Sequence, residues 1–227
     1  MQLIVSKKNF FLILNYEGGE IMSSAEEISK QILYMICELD DYKLIGAELS
    51  ELRPHYTEIM WGEVGDLIRV WFEEQFKEGG RFHGSKPNIF EIMNVLDFNM
   101  QVYEFAGENA MLKKFSIQFE LANIYSDQGG LGRKFELYEK IVSESYPLIK
   151  KRDTEDKMHY YFTRSLNRLA ELTQYWKGKD ESVPLWKRLA EYAQDSSVNE
   201  KKSILNVVRS NAPSFAKANQ ELFENMN

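Results

Sequence analysis

Beyond Met22 no stretch of this chain alternates apolar and polar residues as a half-buried strand does. Its apolar residues recur three and four positions apart, between well-marked helix start and stop signals. Ser24-Ala25-Glu26-Glu27 has the form of a capping box, in which serine and glutamate satisfy each other's free backbone N–H groups. It opens a helix carrying Ile28, Ile32, Met35, Ile36 and Leu39 on one face. A second helix is expected from about Tyr42 to Leu52. A third runs from about Pro54 to Lys77, with Ile59, Met60, Val64, Leu67, Ile68, Trp71 and Phe72 inward and a stop at Gly79-Gly80. Residues 81–88 read as a loop. The segment 89–105 is apolar on most sides, so that helix is expected to be central, with Gly107 as its C-cap. Further helices are expected near 109–127, 133–151, 154–177, 182–195, 198–210 and 213–225. Asp153, Ser182 and Ser197 serve as their N-caps and Pro213 sits in a first turn. The expected fold is all-α: antiparallel helical hairpins, stacked as a short right-handed solenoid or a compact bundle.

With 227 residues, 44% of them hydrophobic, residues 22–227 suffice for a single domain with a substantial core. Thirty-five acidic residues against twenty-eight Lys and Arg give a net charge of −7, which argues against nucleic acid as a partner. The runs Lys150-Lys151-Arg152 and Lys201-Lys202 are flanked by acids and read as solvated helix ends. Cys37 is the single cysteine, so no internal disulfide exists. It lies in an apolar helical stretch and reads as a small hydrophobe, which suits a cytoplasmic location. No stretch reaches the ~20 apolar residues of a membrane helix.

The first 21 residues stand apart. Glu17 to Met22 can be back-translated to a purine run at a suitable distance before an ATG, the signal that pairs with bacterial ribosomal RNA. On that reading the source is bacterial, residues 1–21 are a translated leader, and the native start is Met22. Two other readings stay open: a β-hairpin pairing Leu3–Val5 with Phe10–Leu14, or a small apolar tail that packs on a partner.

A pattern recurs in the second half. Leu121, Ala122 and Tyr125 are followed thirteen positions after the tyrosine by Tyr138, with Ile141 beyond. Leu169 and Ala170 repeat the first pair, and Trp186 lies seventeen after Leu169, as Tyr138 does after Leu121. These residues resemble a degenerate tetratricopeptide repeat over about 111–195. The spacing of 48 between units exceeds that family's 34. Lys134 takes a position that is usually alanine, Thr173 replaces the tyrosine, and the terminal proline is out of place. The resemblance implies stacked hairpins in which small Ala122 and Ala170 allow close approach. It also implies a concave groove, lined by the polar face of each first helix, that grips a protein or peptide. Carried onto this chain, that face is Arg164, Asn167, Glu171 and Gln174, with Ser116, Asn123 and Ser126 from the preceding unit. The alternative is that this face is simply solvated.

Catalytic motifs are not found. His55, His83 and His159 lie in three different segments, and no His-Glu-x-x-His or Cys-x-x-Cys spacing occurs, so no metal or cofactor is expected. Gly129 to Lys134 has the glycines of a phosphate loop without its frame and reads as a hairpin turn. Arg81, His83 and Lys86 share the 81–88 loop and form a candidate anion or small-ligand site. The expectation is a non-enzymatic module that binds a protein or peptide, a basic one suiting the −7 charge, as an adaptor, regulator or immunity-type protein. The competing expectation is an enzyme or ligand binder using the 81–88 loop and an aromatic-lined cavity. Self-association as a homodimer is also compatible with the sequence.

Overall fold

The computed structural model describes residues 24–39, 42–84, 88–127, 130–149, 156–196 and 198–223. Residues 1–21, Lys86, Asp153 and Ser197, each of which carries an expectation above, lie outside the described residues. The fold is all-α, with no strand among the described residues. The helices are α1 (Ala25–Tyr34, continued by a π turn Met35–Leu39), α2 (Tyr42–Leu52), α3 (Glu58–Glu74), α4 (Ile89–Phe105) and α5 (Met111–Asp127). They are followed by α6 (Leu131–Ile149), α7 (Asp156–Trp176), α8 (Lys179–Gln194), α9 (Val198–Asn211) and α10 (Pro213–Ala218). No described helix is long and apolar enough to cross a membrane. The chain divides between Ile117 and Gln118, inside α5, into two compact units. The sequence reading draws a single domain over the same residues.

In the first unit α3 packs against both α1 and α4. The Ser24 capping box forms as expected, with the Glu27 N–H donating to Ser24 Oγ and the Ser24 N–H to Glu27 Oε2. α3 starts at Glu58 rather than Pro54. Thr57 supplies the cap by accepting from the Met60 N–H, and Pro54 falls in the short 3₁₀ turn Arg53–His55. The inward face also differs in part from the expected one. Trp61, Val64, Gly65, Ile68 and Phe72 are buried, whereas Ile59 is 72% exposed and Leu67 38%. α4 buries nine residues, which gives it the central place its composition predicts. The α3–α4 crossing is close because Gly65 has no side chain: a Cβ there would lie 2.5 Å from Tyr103 Cε1. Asn99, fully buried, donates to the Gly65 carbonyl at 2.9 Å, and the Tyr103 hydroxyl donates to Asp66 at 2.8 Å. Gly107, at φ +67°, ends the α4 segment in the left-handed region expected of a C-cap glycine.

The second unit runs in sequence order: α6 against α7, α7 against α8, α8 against α9, α9 against α10. Small side chains mark the crossings, with Ala122, Ala170, Ala190 and Ala193 all fully buried. α8 begins at Lys179 after Gly178, three residues before the expected start. Ser182 is therefore not an N-cap; it is buried inside the first turn and donates to the Lys179 carbonyl at 2.7 Å. The last expected helix is cut to Pro213–Ala218 and a 3₁₀ turn Gln220–Leu222, with Pro213 in the first turn as predicted. Trp176, which shares the helical period of buried Leu169 and Thr173, is nevertheless 49% exposed. It lies at the end of the helix, beside the Phe135 ring at 6.2 Å between centroids.

Candidate functional site

α7 has two sharply different faces. Its apolar stripe, Phe162, Leu166, Leu169 and Ala170, is sunk against α6 and α8. The opposite stripe carries Tyr160, Arg164, Asn167, Glu171 and Gln174, and α9 packs along part of it. Part of the polar stripe thus faces a second helix, while Tyr160 and Arg164 stay exposed.

Two cavities open along the cleft between α7 and α9. The first, ≈ 220 Å³, is bounded on the α7 side by Tyr160, Arg164 and Asn167 and floored by Leu189, Ile204 and Val207. Tyr160 is 49% exposed, and the Arg164 guanidinium sits over its ring at 5.5 Å. The second, ≈ 500 Å³, lies at the far end of α7, where Gln174 meets α8, Asn211 and α10. Between them Glu171 is fixed by three donors: Asn211 Nδ2 at 2.7 Å, Arg168 at 2.8 Å and Asn167 Nδ2 at 3.1 Å. The hydrogen bond and charge of Glu171 hold Arg168 above its usual pKa. Gln174 accepts from the Trp186 indole at 3.3 Å and donates to the Asn211 carbonyl at 3.4 Å.

The four α7 residues are thus brought to one cleft in different roles. Arg164 is exposed at its mouth, while Asn167, Glu171 and Gln174 tie α7 to α8 and α9. The three residues expected from the preceding unit do not join them in any described contact. Asn123 accepts from the Tyr138 hydroxyl at 3.0 Å within the α5–α6 hairpin, and burial pushes that phenol up to about 12. Ser116 falls on the other side of the Ile117/Gln118 division, and the Ser126 side chain lies outside the description. Sequence reasoning missed Asn211, because its place just before Pro213 marks only a helix end, and Tyr160, which precedes the expected stripe by one turn.

The 81–88 loop has another use for its arginine. Arg81 donates to Glu38 at 3.2 Å and to the Cys37 carbonyl at 3.0 Å, and pairs with Glu91. Its guanidinium therefore pins the loop to the end of α1 and the start of α4, and is already neutralised by two carboxylates. His83 is exposed, with Nδ1 3.2 Å from the Phe76 carbonyl. Cys37 is half-buried, and burial raises its thiol to about 11, well away from a reactive thiolate.

A larger cavity, ≈ 730 Å³, lies where α6 ends and α7 begins, lined by Tyr146, His159, Arg188 and Tyr192 among others. Arg188 stacks 3.9 Å over the Tyr146 ring, and the Tyr192 hydroxyl meets His159 Nδ1. Burial lifts that phenol to about 12. Two of its lining residues, Ile149 and Asp156, flank residues 150–155, which lie outside the description. Among the described residues no group of three or more His, Cys, Asp or Glu side chains is placed to hold a metal ion. No known protein family, curated protein or solved structure matches the chain.

Proposed function

We propose that this chain is a non-enzymatic, cytoplasmic binding module whose α7–α9 cleft docks a segment of another protein. One observation carries the reading: the exposed Tyr160–Arg164 pair stands at the mouth of a cavity with an aliphatic floor. Tyr and Arg beside an apolar pocket are the composition that dominates binding energy at protein interfaces, because each offers a large contact area with a polar end. On this reading α5–α6 and α7–α8 are two degenerate tetratricopeptide-like hairpins. The support is that Leu121 and Ala122 are buried alongside Leu169 and Ala170. In each hairpin a buried second-helix aromatic, Tyr138 or Trp186, also bonds back to the first helix. The net charge of −7 favours a basic partner, as for an adaptor, regulator or immunity-type protein.

The test is affinity capture of the tagged chain from its own cells, alongside Arg164→Glu and Tyr160→Ala. A stoichiometric protein is expected with the native chain, reduced at least about tenfold by either change and weakened steeply by salt. A partner retained undiminished by both variants sinks the cleft reading. A second reading, as a small-ligand binder, is favoured by the ≈ 730 Å³ cavity with its Tyr146 and Tyr192 walls. Thermal stabilisation by a member of a metabolite panel, in place of a protein partner, is its signature.

A further inference from the structure

The ≈ 500 Å³ cavity at the C-terminal end of α7 has a composition that states what it accepts. Its volume falls within the roughly 300–1,000 Å³ of ligand-holding pockets. Its apolar surface comes from Val183, Trp186, Ala212, Pro213 and Phe215, all on described helices or the turn between α9 and α10. Trp186 and Phe215 are buried, so the floor is fixed, while Val183 at 39% exposure stands at the opening.

Three of the polar residues on its wall, Gln174, Asn211 and Asn219, are carboxamides with their donors already engaged, while Ser182 donates to the Lys179 carbonyl and Ser214 is exposed. Asn211 directs its NH₂ to Glu171 at 2.7 Å and to Asn167 at 3.4 Å. Asn219 directs its NH₂ to the Phe215 carbonyl at 2.9 Å. Among the described residues neither side-chain oxygen, Asn211 Oδ1 or Asn219 Oδ1, receives a hydrogen bond. Both asparagines are among the residues lining the cavity. Among the described residues the charged side chains on its wall are Lys179 and Asp180, of opposite sign and both exposed. An apolar hollow that offers acceptors, no spare buried donor and no net charge is complementary to a neutral apolar group carrying N–H donors.

We infer that this cavity is an anchor site for an apolar side chain of a partner polypeptide, with Asn211 Oδ1 and Asn219 Oδ1 accepting the flanking main-chain N–H groups. A peptide main chain supplies that donor pattern on each side of an aliphatic side chain, and the two asparagines supply the acceptors. The inference rests on the proposed protein-binding role of the same cleft. Gln174 and Asn211 link this cavity to the Arg164 end of α7.

The test needs no partner. N-acetyl-L-leucinamide is titrated into the ¹⁵N-labelled full chain, following the Trp186 indole resonance, assigned by Trp186→Phe. A saturable shift is expected. The N-methylated dimethylamide analogue, identical in side chain but without N–H groups, should bind about 25-fold more weakly, the worth of two hydrogen bonds at about fivefold each. Asn219→Ala should weaken the leucinamide about fivefold, and Ala218→Phe, which adds a ring at exposed Ala218 on the cavity wall, should abolish the shift. Amide dispersion of the second unit checks that both variants remain folded. No saturable shift, equal binding of the methylated analogue, or binding retained in Ala218→Phe each overturns the inference. The captured partner's sensitivity to Arg164→Glu is a separate readout. Its persistence when the leucinamide fails would remove the anchor and leave the cleft; its loss when the leucinamide binds would do the reverse.

Discussion

The α3–α4 crossing of the first unit and the α7–α9 cleft of the second both place amide side chains between helices, with opposite consequences. At the first, Gly65 lets the helices approach until Asn99 reaches a backbone carbonyl and Tyr103 covers the gap. Arg81 then ties the adjoining loop down with carboxylates from two helices. At the second, Asn167, Glu171, Gln174 and Asn211 hold helices joined by polar bonds, and cavities stay open on either side of that network. The difference lies in side-chain size. A glycine at the crossing closes a helix pair, whereas a long polar residue props one apart. A closed crossing stores stability; a propped one leaves surface to be used.

The largest effects should come from the two deeply buried tryptophans, one per unit. Trp61 and Trp186 are each 1% exposed, and truncation of either to alanine should cost about 3–5 kcal/mol. Hydrogen exchange read by mass spectrometry should show Trp61→Ala releasing 58–105 and Trp186→Ala releasing 156–211. Joint loss of protection in both segments from either variant would show one cooperative body and break the comparison.

Glycine substitutions in α3 sharpen the same contrast on a smaller scale. Gly65→Ala drives a Cβ into Tyr103 and should destabilise by about 1–3 kcal/mol. Gly62, whose Cβ would meet only Ala106 at 3.9 Å, should gain about 0.5–1 kcal/mol on the same change. Urea midpoints measure both, and equal signs would remove the close crossing as an explanation. Arg81→Ala leaves Glu91, whose side chain is 15% exposed, without its cation, and should cost about 1–2 kcal/mol. Cys37, in the π turn that follows α1, is half-buried in the same unit. With its thiol raised from 9.0 to about 11, the native chain holds roughly 100-fold less thiolate than the unfolded chain at pH 8. Burial of the neutral thiol favours the fold fully below pH 9, and that contribution fades as pH rises through 11. Iodoacetamide should therefore label the native chain far more slowly than the urea-unfolded one, and equal rates would contradict it.

Much of this architecture is legible in the residues. The Ser24 capping box, the end of α2 at Leu52 before Pro54, and the whole of α4 follow from local chemistry, because caps and breakers act within one turn. What escaped was decided at a distance. Ile59 and Leu67 share the helical period with Val64 and Ile68, and only the direction from which α1 and α4 approach leaves them exposed. Ser182 has the chemistry of a cap, yet Gly178, with φ at +101°, starts the helix earlier and carries the serine inside. The polar stripe of α7 was visible as a period, but its division into an exposed arginine and three tethered residues depends on Asn211, 37 to 44 positions away.

That division yields the smallest expected effect and the one most telling for function. Glu171 receives three donors, so Glu171→Arg should set two guanidinium groups side by side and strand the Asn211 amide, at a cost of about 1–2 kcal/mol. A loss of binding in that variant would be ambiguous between a lost contact and a loosened α7–α9 pair. Arg164 is exposed, and its described contact is with the Tyr160 ring, so Arg164→Glu should change stability by less than about 0.5 kcal/mol. A thermal melt within a degree or two of the native chain, together with lost partner capture, would assign the cleft mouth to recognition. A melt lowered as far as that of Glu171→Arg would place Arg164 in the structural network and erase the distinction between the two ends of the stripe.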